Sequence, residues 1–241
     1  LGFLLFSVYS KYSIIIKRKN LIESVLSGIL FHGLYLGGVF YSISIGMPTS
    51  IAALIVTLQP ILTNILSGPI LNEKVTLKQW IGVLLGFLGA TLVLGLDLGS
   101  KIPLLGLVAT LIALISITAS TIWQKKLSNN LPLSVSNFYQ AIGGCFFHIL
   151  VVIFFAKPYI AFTKTFLLSM GHQIFLVSFG AFTILMFLIK KNSASKTVSI
   201  FFLIPATSAL MAWFFLKESL TAIDLLGFLI TSIGVYIATR D

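Results

Sequence analysis

Nine apolar stretches divide the chain, separated by short polar connections such as "KRKN", "LNEKVT" and "QKKLSNNLP". They cover residues 1–16, 22–45, 50–71, 78–96, 102–123, 133–156, 170–189, 197–216 and 221–238. Most have about 20 residues, the length an α-helix needs to cross a hydrocarbon core about 30 Å thick. No period-2 alternation runs along them, which sets a β-barrel aside, and so many long runs do not describe short soluble helices. The pattern predicts an all-α polytopic membrane protein with about nine transmembrane helices. Because the connections are short, the helices should be packed neighbours with no soluble domain attached. The longest connection lies around "AKPYIAFTKTFLLSMG".

Composition agrees with this pattern and excludes the soluble alternatives. At 58% hydrophobic, 9% charged and a mean hydropathy of +1.08, the 241 residues cannot cover a globule with a wetted surface. The net charge of +10 would suit nucleic acid, but the basic residues fall in short clusters between apolar runs, and no nucleic-acid partner is expected. Those clusters orient the chain. With the "KRKN" connection inside, Lys17, Arg18, Lys19, Lys74, Lys78, Lys125, Lys126, Lys190, Lys191, Lys196 and Arg240 fall inside, against Lys101, Lys157, Lys164 and Lys217 outside. Lys11 can snorkel toward the inner headgroups. The expectation is a multi-pass protein of the cell membrane, of the bacterial inner-membrane type, with a cytoplasmic C terminus. Trp80, Trp123 and Trp213 lie near span ends and read as interfacial anchors. The single cysteine, Cys145, excludes a disulfide framework or a multi-thiolate metal site and reads as a small buried side chain. The first stretch, Leu1 to Ile16, would span only about 24 Å as a helix, so a further helix is expected upstream.

An internal repeat stands out when the sequence is slid by 145 positions. Pro60 then falls on Pro205, Leu71 on Leu216, Glu73 on Glu218, Thr76 on Thr221, Gly82 on Gly227 and Gly89 on Gly234. Glu73 lies in an inside connection and Glu218 in an outside one, so the copies have opposite topology, an architecture of secondary transporters. The repeated turn explains itself without a substrate. Thr76 and Thr221 are placed as N-caps with Gln79 and Asp224 three residues on, and each glutamate can accept from free N–H groups where the next helix starts. Past the turn, Gly82, Gly86 and Gly89 share one helix face, and Gly227, Thr231 and Gly234 repeat the spacing. Such a stripe admits another helix closely, either within the chain or in a homodimer. Pro60 and Pro205 sit mid-span, where each bends its helix and can free carbonyls near Ile55, Val56, Ile200 and Phe201.

The run "ALIVTLQPILTNILSGPILNEKVTLKQWIGVLLGFLGATLVLG" resembles the EamA-type repeat of the drug/metabolite transporter superfamily. The run "SASKTVSIFFLIPATSALMAWFFLKESLTAIDLLGFLITSIGVYIA" looks like its second copy. The resemblance implies ten helices as two inverted five-helix repeats around a central cavity, and a permease that moves small metabolites. On that reading residues 1–98 are a first repeat lacking its first helix and residues 99–241 a second. "LGFLLFS" looks like the start of the family's second helix, with Gly2 where an arginine is often found.

Polar side chains within the spans are the candidates for touching cargo, since each needs a partner or a wet cavity. His32 and Tyr35 lie about one turn apart on the second stretch, and Asn137, Gln140, Gly144 and His148 form a polar stripe on the sixth. Thr207 is a weaker candidate because a hydroxyl can bond back to its own helix. Hydrogen bonds between helices account for the same residues equally well. The six acids sit at span ends or in connections, and no Lys or Arg sits at midplane to clamp a phosphate. This favours a neutral or zwitterionic cargo, such as an amino acid or an amphiphilic compound, over a sugar phosphate. No catalytic constellation, metal set or cofactor motif is present in the sequence. The expected partners are the lipid bilayer and a small solute. The alternative is a non-transporting packing or assembly protein of the membrane, or an inactive truncated transporter.

Overall fold

A computed structural model describes residues 1–95, 101–155, 159–217 and 219–240, without the side chain of Leu216. Among these residues the chain is helical with no strand. The helices are α1 (Gly2–Tyr9), α2 (Arg18–Ser44), α3 (Thr49–Leu71), α4 (Leu77–Leu94), α5 (Leu104–Ser128), α6 (Leu133–Phe155), α7 (Lys164–Lys191), α8 (Ala194–Phe215) and α9 (Ala222–Thr239). The eight from α2 to α9 are long and apolar enough to cross a membrane. Glu218, Asp97, Lys157 and Asp241 lie outside the described residues, as does the expected repeat boundary at 98/99.

The first helix is half its expected length. It closes at Tyr9 because Lys11 takes a left-handed conformation (φ 57°), with the Tyr12 N–H donating to the Ser7 carbonyl (2.9 Å) and the Lys11 N–H to that of Val8 (3.0 Å). This double bond is the Schellman arrangement, which ends a helix by using its last carbonyls. Other ends extend beyond the hydropathy limits. Thr163 caps α7 by accepting from the Phe166 N–H (3.1 Å), and Ser193 caps α8 by accepting from that of Lys196 (3.2 Å).

The chain forms two compact units. The first comprises Leu1–Gly33 and Trp123–Asn192, the second Leu34–Ile122 and Ser193–Asp241. In the first, Phe182, Met186 and Ile189 make a buried cluster on α7, with Phe3, Phe31, Leu133 and Leu185 against it. Cys145 of α6 is exposed, contrary to the expectation of burial. The glycines and Gln140 hold the inner positions of α6, so its neighbour Cys145 points away.

In the second unit α4 and α9 run antiparallel, glycine face to glycine face. A Cβ on Gly82 would lie 2.6 Å from the Gly234 carbonyl oxygen, and one on Gly234 2.7 Å from that of Gly82. Gly89 and Gly227 stand in the same reciprocal relation, at 2.6 and 2.8 Å. Shifting one pair by the repeat interval produces the other. Gly86 faces the Phe202 ring, which is buried with Val83, Ala90, Val235 and Ala238. The stripe therefore packs within the chain, where only hydrogen fits in place of a side chain.

The turns before these two helices match in detail. Thr76 Oγ1 accepts from the Gln79 N–H (3.2 Å) and Gln79 Oε1 from the Thr76 N–H (2.8 Å). Thr221 and Asp224 exchange the same bonds at 3.2 and 2.8 Å, so aspartate reaches as well as glutamine does. Asn72 (φ 56°) and Lys217 (φ 60°) both take the left-handed conformation at equivalent places. Glu73, however, does not cap the helix that follows it. Its Oε1 accepts from the Ala194 N–H (2.8 Å) and its Oε2 from the Ser195 N–H (3.3 Å), at the start of α8. The start of α4 is already served by the Thr76–Gln79 box, whereas the first turn of α8 offers N–H groups beyond the one Ser193 takes.

Both prolines follow a break in their span. Pro60 is the second residue after α3 loosens at Thr57 and Leu58, and Pro205 follows a 3-10 turn at Ile200–Phe202. The carbonyls of Ile55 and Ile200, expected to be freed, instead accept from the Leu58 N–H (3.1 Å) and the Leu203 N–H. A tighter i to i+3 turn thus uses these two carbonyls just before each proline, while the carbonyls that lose their i+4 donor to the rings are those of Val56 and Phe201.

Candidate functional site

Most of the expected polar contacts lie where α2 meets α6 in the first unit. These helices are parallel: Gly28 lies against the Gln140 backbone, His32 against Gly144, and Gly33 against the Phe147 ring. A Cβ on Gly144 would sit 2.6 Å from the His32 Cβ, and one on Gly143 would run into the Val25 carbonyl. Small residues set the approach and bring the polar ones inside. From Ile29 to Tyr35 α2 winds as a π-helix, so His32 and Tyr35 are not related as neighbours on an α-helical face.

Gln140 has 1% of its surface exposed and uses both ends of its amide. Its Oε1 accepts from Gln124 Nε2 (3.0 Å) and its Nε2 donates to Ser136 Oγ (3.0 Å). Gln140 is thus a bridge from α6 to α5. Asn137, one turn earlier and equally buried, has no protein partner for either Nδ2 or Oδ1. Ser24 Oγ, buried on α2, is likewise unpartnered. His148 is exposed and its Nε2 donates to the His32 carbonyl (2.9 Å), while the His32 ring packs between Phe31 and Phe182, with centroids 5.0 Å from each. Lys125 completes this unit from the end of α5, its Nζ donating to the carbonyls of Ile189 (2.9 Å) and Asn192 (2.6 Å) where α7 ends. A cation there compensates the negative end of the helix.

In the second unit Thr207, Ser208, Met211, Ala212 and Phe215 of α8 line a surface depression of about 410 Å³. Thr207 Oγ1 donates back to the carbonyls of Leu203 (2.9 Å) and Ile204 (3.0 Å). Tyr35 belongs to this unit. Further buried polar groups were not singled out from the sequence: Gln59 Nε2 donates to Thr121 Oγ1 (3.0 Å), and Ser195 Oγ bonds Asn64 Oδ1. Their signal was an amide inside an apolar run, the same one that marks Gln140.

Among the described residues, charge is absent from this interior. Every described Lys, Arg, Asp and Glu of the eight spans lies within two turns of a span end, leaving amides, hydroxyls and imidazoles at depth. A family model described as the EamA-like transporter family matches residues 1–95 and 104–240, nearly the whole chain. The chain belongs to the EamA-like transporter family. It is accordingly an integral, multi-pass membrane protein of transporter type. Among its relatives, the "Uncharacterized transporter YvbV" of Bacillus subtilis is 29% identical over 221 residues, covering 87% of this chain and 68% of that one. The "Probable amino-acid metabolite efflux pump" of Escherichia coli is 24% identical over 217 residues, covering 82% of this chain and 70% of its own. A protein of known crystal structure superposes with a TM-score of 0.81 over 98% of this chain and 82% of that one, at 13% identity, and so has the same fold.

Proposed function

We propose that this chain is a permease for small neutral or zwitterionic solutes, amino acids or amphiphilic compounds among them. It works by alternating access through a central cavity between two inverted repeats, residues 1–98 and 99–241. The observation that carries the cargo class is the confinement of charge to the span ends, which among the described residues leaves no fixed cation at depth to hold a phosphate. Amides and hydroxyls can meet the polar groups of a neutral or zwitterionic solute while its apolar part meets the helices. Among the buried polar groups of the first unit, Asn137, in the second turn of α6, is the best candidate contact, because its amide has hydrogen-bonding capacity that the protein leaves unused. Gln140 acts beside it as a positioning residue. The reciprocal glycine contacts of α4 and α9, which interchange under the repeat shift, support the inverted arrangement. The name of the E. coli relative supports the amino-acid class.

Flux into proteoliposomes tests this reading with a panel of a radiolabelled neutral L-amino acid, a small amphiphile and a sugar phosphate. Uptake of the first or second above protein-free vesicles, without uptake of the third, is the expected outcome. Flux of the sugar phosphate alone, or of no member of the panel, would overturn it.

A further inference from the structure

The end of the first unit at which α2 and α6 begin carries charge that the fold itself does not neutralise. The Tyr139 hydroxyl, in the second turn of α6, donates to the Ile14 carbonyl (2.9 Å), which brings the chain just before Lys17 to this end. The bonds from Lys125 to the Ile189 and Asn192 carbonyls bring the end of α7, which carries Lys190 and Lys191, to the end of α5, which carries Lys125 and Lys126. Together with Lys17, Arg18 and Lys19 this gathers seven basic residues, against the Glu23 carboxylate 4.0 Å from Lys19. Lys125 is engaged as a helix cap, but Lys126, Lys190 and Lys191 are exposed. Helix stability does not account for all of these charges, since three cations stand where α2 starts and where the peptide dipoles disfavour them.

We propose that this basic end, centred on Lys126, Lys190 and Lys191, binds the phosphate of an anionic phospholipid headgroup as a specific lipid site. Two features favour a lipid over a free anion. The patch lies at the end of membrane-length helices, at the depth of headgroups, and the face of α7 beneath it is apolar and outward, with Ile184 60% and Phe187 49% exposed. The Lys191 ammonium lies 5.6 Å from the Phe187 ring centroid, so headgroup and acyl chain would meet adjoining parts of one surface. The proposal is independent of the cargo.

The test uses the purified full chain in nanodiscs of phosphatidylcholine, with and without phosphatidylglycerol, read by thermal unfolding and by lipid retention in native mass spectrometry. Phosphatidylglycerol should raise the unfolding midpoint. The triple variant Lys126→Gln, Lys190→Gln, Lys191→Gln should lose most of that rise and retain the lipid on the order of 100-fold less tightly. Lys101→Gln with Lys164→Gln, which removes charge elsewhere, should keep the rise. An equal rise in the triple variant, or an equal loss in the control, would overturn the site. So would inorganic phosphate in detergent reproducing the whole rise, since the ligand would then be a free anion.

Discussion

Asn137 and Gln140 sit one turn apart on α6, equally buried, yet substitution should affect them with opposite sign. Gln140→Leu removes the acceptor for Gln124 and the donor to Ser136, and should cost about 1–3 kcal/mol, seen as a lower unfolding midpoint of the purified protein. Asn137→Leu deletes an amide that bonds to no protein group, so the midpoint should hold or rise while solute affinity weakens by about tenfold for one lost contact. A lower midpoint for Asn137→Leu, with unchanged affinity, would move Asn137 from cargo to scaffold. The polar stripe itself could be read from the sequence, but its division of labour could not. Gln124 reads as part of the polar connection "QKKLSNNLP", and only the continuation of α5 to Ser128 turns it inward to meet Gln140. Hydropathy ends a span where lysines begin, whereas the helix continues as long as its hydrogen bonds do.

For most elements the local signals were sufficient, the exceptions being the first stretch, which breaks at Lys11, and the π-helical turn inside α2. Spans, caps and glycine spacing depend on neighbours within a few residues, so Thr76 with Gln79 and Thr221 with Asp224 could be placed from the sequence alone. The destination of the Glu73 carboxylate could not, because its partners are 121 and 122 positions away and no local pattern marks them. The glycine stripe predicted a close helix without naming it, and the structure supplies α9 for α4. Gly86→Leu should push into the Phe202 ring and Gly234→Leu into the backbone of α4, each lowering folded yield in detergent through at least about 1–3 kcal/mol of overpacking. Leu84→Phe, on the outward face of α4, is the matched control and should leave yield unchanged. Val83 cannot serve as a control, since it is fully buried in the core. Equal yields for the glycine variants and the control would remove the interface from the account.

At the scale of the molecule, the asymmetry of lysine and arginine predicts an arrangement that labelling can check. With Cys145 replaced, Lys190→Cys should be shielded from an impermeant thiol reagent added outside intact cells, and Lys164→Cys should react. Reaction at position 190 from outside would reverse the orientation. Lys125 is unsuitable as a probe because it caps α7. The seam between α4 and α9 also imposes an order on synthesis. Leu94 ends α4 and Ala222 begins α9, so at roughly 5–20 residues per second the ribosome takes on the order of ten seconds to deliver the partner. Throughout that interval the glycine face of α4 is in the bilayer without the surface it was shaped to meet. The second unit therefore closes only when α9 arrives, and the insertion machinery or surrounding lipid must shelter the glycine face of α4 until then.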